Sequence, residues 1–350
     1  MPTRIAKCIW LPISAILPLV AAISSAFAQS AIPYQPDENW QQVCKAAQAQ
    51  PLAPLAPAGP LTPAQLPSCD EAALYYGIGH PPNYAAALQC GWYQRAHPQS
   101  AVGNMFYGPG VLAMLYANGR GVPRDDRMAI RFACENPWAA PAENAYRVGH
   151  LEFLERSATP PAIFDLCDDA TSGLSGGFCA SIQTRTRDAA RARQIAALIG
   201  KFSPQAQSAF PALQAAQSAF EEARVANEID LSGTLRGAFE LEEEAKLRDQ
   251  FLIDLQRFAK GDLPPASAAD VAALTTKMNA TLRQLQTAPP SDWQYATIKP
   301  AGILAAQTAW QASLDAWIKF APMAYPHLSL SRIRAELIRL RLHQLRSLAK

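Results

Sequence analysis

The chain has no cysteine after Cys179, which excludes a disulfide-held fold from its C-terminal 170 residues. It has almost no net charge: 31 Lys+Arg stand against 29 Asp+Glu. Two of the cations, Arg4 and Lys7, fall in a candidate leader, and without them the balance is 29 against 29. A strongly basic nucleic-acid binder is thereby excluded. The five histidines are His80, His97, His150, His327 and His343. No two stand at helical i, i+3 or i, i+4 spacing, and H-E-x-x-H does not occur, so a helical zinc-hydrolase motif is excluded. There is no C-x-x-C, no P-loop, no dinucleotide fingerprint and no spaced carboxylate pair that identifies an acid and a base. The expectation is a protein without metal, cofactor, catalytic residue or enzymatic activity.

What is present points to helices. Hydrophobic residues make up 49% and charged residues 17%, enough for a packed core. Much of the apolar share is alanine, which favours closely packed helices. The N-terminus reads as a secretory signal over residues 1–28. Arg4 and Lys7 form a positive n-region, Ile9 to Phe27 is uncharged and mostly apolar, and Ala26-Phe27-Ala28 offers a cleavage site before Gln29. An uncleaved anchor is the alternative, but Pro12 and Pro18 interrupt the run. Cleavage leaves 350 − 28 = 322 residues with no further membrane span, in the periplasm or outside the cell.

Export makes the cysteines informative. Cys8 is removed with the leader, and six remain: Cys44, Cys69, Cys90, Cys134, Cys167 and Cys179. An even number in an exported chain implies three disulfides. Residues 29–68 read as a short helix around Trp40, Val43 and Cys44, then a connector with Pro51, Pro54, Pro57, Pro60, Pro63 and Pro67. That spacing forbids helix and favours extended chain.

Residues 69–180 contain an internal repeat with a 42-residue offset. Gly77, Gly79, Pro81 and Ala87 match Gly119, Gly121, Pro123 and Ala129. The pattern is a helical hairpin: Leu112 to Tyr116 end one helix, Gly119 and Gly121 make the turn, and Asp125 caps the next. The copy at 112–133 resembles the Sel-one-like repeat, a tetratricopeptide relative. The copy at 71–95 is a degenerate version, and a weaker third unit runs from Ala142 to Arg156. Stacked pairs of this kind build a short solenoid. Gly173, Ser175 and Gly177 form a G-x-S-x-G match, but no strand precedes it, so a disulfide-closed Gly-rich loop between Cys167 and Cys179 is expected rather than a nucleophile elbow.

Residues 181–350 contain a second duplication, 182–258 and 270–350, with Pro264-Pro265 at the junction. Ala215 to Phe220 face Ala305 to Trp310 at an offset of 90, and Leu247-Arg248 echo Leu340-Arg341. Ala306, Ala309, Trp310 and Leu314 share one helix face and read as a core stripe, as does Phe220, while Gln307 and Asp315 read equally well as solvated. The unit resembles the LprI-like lysozyme-inhibitor family through Ala306, Gln307, Ala309, Trp310, Asp315 and Ala316, with Arg341 and Leu345 in the closing motif. Leu314 stands where that family has Arg, and Ile318 where it has Cys. The resemblance implies a helical domain and lysozyme as a protein partner.

The two halves together predict an all-α fold: a Sel-one-like solenoid followed by an LprI-like helical domain. Charge is uneven along the second half. Glu240, Glu242, Glu243 and Glu244 cluster, which reads either as a solvated face or as a docking patch for a basic partner. The expected function is an exported binding or interaction protein of the cell envelope that engages a protein partner, lysozyme among them, or a cell-wall component. The alternative is a cysteine-rich Sel-one-like protein that binds or slowly hydrolyses β-lactams.

Cysteine pairing follows from stacking. Cys167 and Cys179 close a short loop. Cys90 and Cys134 lie on second helices of successive units, about 200° apart in helical phase once Cys134 is mapped onto Trp92. The expected set is Cys44–Cys69, Cys90–Cys134 and Cys167–Cys179. The rival keeps Cys167–Cys179 and joins Cys69 to Cys90 across one hairpin and Cys44 to Cys134.

Overall fold

Helices start and stop where local chemistry directs. The computed structural model describes residues 34–52, 59–98, 104–136, 139–157, 163–289 and 297–348. The leader and the prolines at 54 and 57 lie outside the described residues. Among the described residues there is no β-strand, and twelve α-helices follow in order. They are α1 (Trp40–Gln48), α2 (Glu71–Tyr76), α3 (Tyr84–Ala96), α4 (Pro109–Asn118), α5 (Asp126–Glu135) and α6 (Pro141–Arg156). Then come α7 (Gly173–Ile199), α8 (Pro204–Glu228), α9 (Arg236–Lys260), α10 (Ala268–Thr287), α11 (Pro300–Ala324) and α12 (Leu330–Arg346). The fold is all-α, as expected, and no described helix is long and apolar enough to cross a membrane.

The 42-residue repeat is a repeat of backbone as well as sequence. Gly77, Gly79, Gly119 and Gly121 all take positive φ, between 63° and 80°. Asn83 caps α3 by accepting from the Ala86 amide, and Asp125 caps α5 by accepting from the Met128 amide. Gly121 has a second constraint, because a Cβ there would stand 2.9 Å from the Tyr84 carbonyl group. The hairpins α2–α3 and α4–α5 stack in solenoid fashion, and α6 packs on α5. Ala86, Ala87, Ala113 and Ala129 are fully buried where these helices approach.

The disulfides follow the rival arrangement. Cys44 is joined to Cys134, Cys69 to Cys90, and Cys167 to Cys179. The expected Cys44–Cys69 and Cys90–Cys134 pairs are therefore corrected. Cys90 faces back across its own hairpin to the chain entering α2. The forward face of α3 is occupied by Trp92, which meets Phe132 of α5 edge to face at 5.4 Å. Helix α1 then lies on α5 and brings Cys44 to Cys134. The connector is held without a disulfide of its own: Gln89 accepts from the Leu61 amide and donates to the Leu61 carbonyl, at 2.8 and 2.9 Å.

The segment between Cys167 and Cys179 is not a Gly-rich loop. A 3-10 turn covers Leu166–Asp169, Ser172 caps α7, and Gly173, Ser175 and Gly177 lie in the first turns of that helix. Helix α7 then runs 27 residues without a break, across the compositional boundary at 180. Cys179 and Ile182 join the core of the solenoid half, whereas Ile195, Leu198 and Ile199 pack on the core of the second half.

The second half repeats as two three-helix units. Helix α7 packs on α9 and α10 on α12, while α8 and α11 form the long central seam between the units. The junction at Pro264-Pro265 separates α9 from α10, whose start carries a Ser267–Asp270 capping box. Arg332 of α12 donates to the carbonyls of Gly261, Leu263 and Pro264 and so ties the end of α9 to the last helix. Trp310, Trp317, Phe258, Phe320 and Phe220 fill the core of this half.

Candidate functional site

A cleft of about 380 Å³ opens where α7 passes the first hairpin. Four separate segments build it. The start of α2 brings Asp70 and Glu71, the end of α3 brings Tyr93 and Gln94, the 104–107 loop brings Asn104, Phe106 and Tyr107, and α7 brings Phe178, Ser181 and Arg185. The half-buried rings of Tyr93, Tyr107 and Phe178 give it flat apolar walls.

Its polar groups are organised from below. Glu71 is 3% exposed and takes hydrogen bonds from the Gln94 and Asn104 side-chain amides, each at 2.7 Å. Burial pushes its carboxyl above the ordinary range, and the two amides work against that shift. Gln94 in turn accepts from the Gly108 amide at 2.9 Å. One buried carboxylate thus holds α2, α3 and the 104–108 loop in a single arrangement. Above it, Asp70 caps α2 through the Ala73 amide and also pairs with Arg185 of α7. The rim therefore carries one acceptor and one cation next to three aromatic rings.

The motif residues of the second half come together only in part. Gln307 accepts from Arg341 Nε at 2.9 Å, and Trp310 and Arg341 line the same small cavity, about 40 Å³, between α8, α9, α11 and α12. Arg341 also lies over the Phe220 ring at 5.5 Å. Trp310 and Phe220 are each 5% exposed, so the core reading of both holds. Gln307 is half-buried and bonded, whereas Asp315 is exposed and accepts from Gln311. Trp310 and Arg341 shape the interior, and of the motif side chains Asp315 alone is fully on the outer surface. The same cavity holds Asp254, whose carboxyl is pushed up to about 7 by burial while Gln250 donates to it at 2.8 Å.

Two of the four residues of the acidic cluster are committed within the chain. Glu243 pairs with Arg224 of α8 and with Lys246, and Glu244 with Arg248 at 2.8 Å. Glu240 is half-buried beside Arg236 in a groove at the start of α9, and Glu242 is exposed. Ser175, the central residue of the G-x-S-x-G match, is fully buried and donates to Glu143 at 2.9 Å. A substrate carbonyl has no approach to it.

Glu143 belongs to a second buried polar group beneath the entering chain. Burial would raise its carboxyl, but the amides of Ser172 and Thr171 and the Ser175 hydroxyl hold it below the ordinary range. Nearby, Tyr34 donates to Asp169 at 2.7 Å and stacks on His150 at 3.9 Å between centroids. Arg147, fully buried, stands 3.7 Å from Glu143, and its guanidinium donates no hydrogen bond among the described residues.

Among the described residues no group of three His, Cys, Asp or Glu side chains is placed to hold a metal ion. Compared with family models, curated proteins and solved structures, the chain matches none of them. The cleft residues escaped sequence reasoning because Asp70, Tyr93, Tyr107 and Arg185 are spread over four segments. The one local signal was Asp70-Glu71 directly after a cysteine.

Proposed function

We propose that this chain is an exported binding protein of the cell envelope, without catalytic activity of its own, that holds a short saccharide segment of the cell wall in the cleft between the first hairpin and α7. The carrying observation is the placement of Tyr93, Tyr107 and Phe178 beside the Asp70–Arg185 pair. Sugar rings present C–H faces that pack on aromatic rings, and hydroxyls that bond to a carboxylate or guanidinium at the rim. The volume, about 380 Å³, suits one or two sugar residues. Three disulfides accord with an oxidising compartment.

The test is co-sedimentation of the mature chain with insoluble peptidoglycan, and titration with soluble muropeptides. Binding that weakens about tenfold in Tyr107→Ala and in Asp70→Asn supports the reading, given the usual cost of losing one central aromatic anchor. Unchanged binding in both variants overturns it.

Lysozyme inhibition is the second reading, favoured by Trp310 and Arg341 lining one cavity and by the bond from Arg341 to Gln307. Because Trp310 and Arg341 are interior, an inhibitory surface would have to lie on the faces they position. Assay of lysozyme with the purified chain separates the two readings, and nitrocefin turnover in the same preparation tests for β-lactam hydrolysis.

A further inference from the structure

A second cavity, about 190 Å³, lies between α7, α8 and α9, apart from the saccharide cleft. It has room for about six waters at roughly 30 Å³ each, or for one small organic molecule. Its wall holds an ion pair that does not close. Glu221 is 5% exposed; one carboxylate oxygen accepts from Gln217 at 2.9 Å, and the other accepts no hydrogen bond from the described residues. That free oxygen stands 3.9 Å from Arg248 Nε, beyond hydrogen-bond reach. The terminal nitrogens of Arg248 donate to Asp188 and Glu244, at 2.9 and 2.8 Å, so Nε is the guanidinium nitrogen left without a bond among the described residues. Beside this gap, Phe251 and Ile195 offer an apolar wall.

The duplication gives the gap a reference. Gln217 and Arg248 are the counterparts of Gln307 and Arg341 in the second unit. There the two side chains bond directly at 2.9 Å, and Glu228 completes the arginine. In the first unit Gln217 bonds Glu221 instead, and an acceptor and a donor are left facing the cavity.

We propose that this cavity binds a small zwitterion, of the α-amino acid class, with its ammonium on Glu221 and its carboxylate on Arg248. A lone anion would leave the buried Glu221 carboxylate without its partner, which is costly, whereas a lone cation would leave only the half-exposed Arg248 Nε to water. A zwitterion satisfies both, and its carbon skeleton packs on Phe251 and Ile195. Burial pushes the Glu221 carboxyl up to about 7, in keeping with a site short of a donor.

The test is calorimetric titration of the mature chain with L-alanine, L-leucine and L-glutamine, with n-butylamine and butyrate as single-charge controls. The expected result is saturable binding of at least one amino acid, no binding of butyrate, weaker binding of n-butylamine than of that amino acid, and release of protons at pH 7 as Glu221 ionises. Proton release is read from the dependence of the heat on buffer. Glu221→Gln keeps the bond to Gln217 and the shape of the site, and it should weaken binding by about tenfold or more. Tyr107→Ala, in the other cleft, should leave amino-acid binding unchanged, so failure of one site is separable from failure of the other. Absence of saturable heat from all three amino acids, equal binding of butylamine, or full affinity in Glu221→Gln overturns the proposal.

Discussion

Arg341 donates from both terminal nitrogens to the two carboxylate oxygens of Glu228, at 2.7 and 2.5 Å, and neither side chain has any exposed surface. The pair links the end of α8 in the first unit to α12 in the second. Arg224 approaches the same carboxylate at 3.5 Å and pairs onward with Glu243, so a line of charge crosses the seam.

Removing one partner leaves a bare charge in a dry interior. Arg341→Met should lower unfolding free energy by about 3–5 kcal/mol, measured by urea titration. The double variant Arg341→Met/Glu228→Leu should recover much of that loss, because the unpaired carboxylate is gone. A single variant within about 0.5 kcal/mol of the parent, the usual spread for surface changes, would show that the pair does not hold the units together.

Disulfide loss should scale with the loop each bond closes. Cys44–Cys134 spans 90 residues and Cys167–Cys179 spans 12. Chain-entropy arguments give about 4.6 kcal/mol for the first and about 2.8 kcal/mol for the second. The Cys44→Ala/Cys134→Ala variant should therefore unfold at lower denaturant than Cys167→Ala/Cys179→Ala. Non-reducing peptide mapping should return Cys44–Cys134 and Cys69–Cys90 peptides, and a Cys90–Cys134 peptide would refute this connectivity.

Stability should decline from mildly acidic to neutral pH. Burial pushes Glu221 and Asp254 up to about 7, against 4.5 and 3.8 ordinarily. Between those limits the folded chain holds protons that the unfolded chain has lost, so stability falls as pH rises and levels off above about 7. Glu221→Gln and Asp254→Asn should each unfold at higher denaturant than the parent at pH 8 and near the parent at pH 4. Variants no more stable than the parent at pH 8 would contradict this. Glu143 acts in the opposite sense: its carboxyl is held low, so its contribution is present at neutral pH and is lost on acidification.

The acidic cluster divides by position. Glu242 is exposed, and Glu242→Lys should shift stability by no more than about 0.5 kcal/mol. Glu243→Lys places like charge against Arg224 beneath a half-covered surface and should destabilise the packing of α9 on α8 measurably in the same urea assay. If lysozyme is bound through this patch, Glu242→Lys should weaken inhibition and reduce its salt dependence without loss of fold.

Local pattern alone decided the all-α class, the Gly-x-Gly turns at Gly77–Gly79 and Gly119–Gly121, the cap at Asp125, and the buried stripe through Ala306, Trp310 and Leu314. Each of these depends on residues within one or two helical turns, where spacing and backbone preference act directly. The partner of Cys90 was not decided that way. It turned on Trp92 taking the face toward Phe132 and on α1 covering α5, contacts between residues 40 or more positions apart. The same holds for the 173–179 segment. Its glycines suggest a loop, yet Ser172 caps a helix there, and the buried Ser175 hydroxyl and Glu143 anchor its first turn. Glu228 was unmarked until the two units packed and set the end of α8 against Arg341 of α12. The cleft around Tyr107 and the open Glu221–Arg248 pair likewise exist only between helices, because each needs side chains from three or more segments at once.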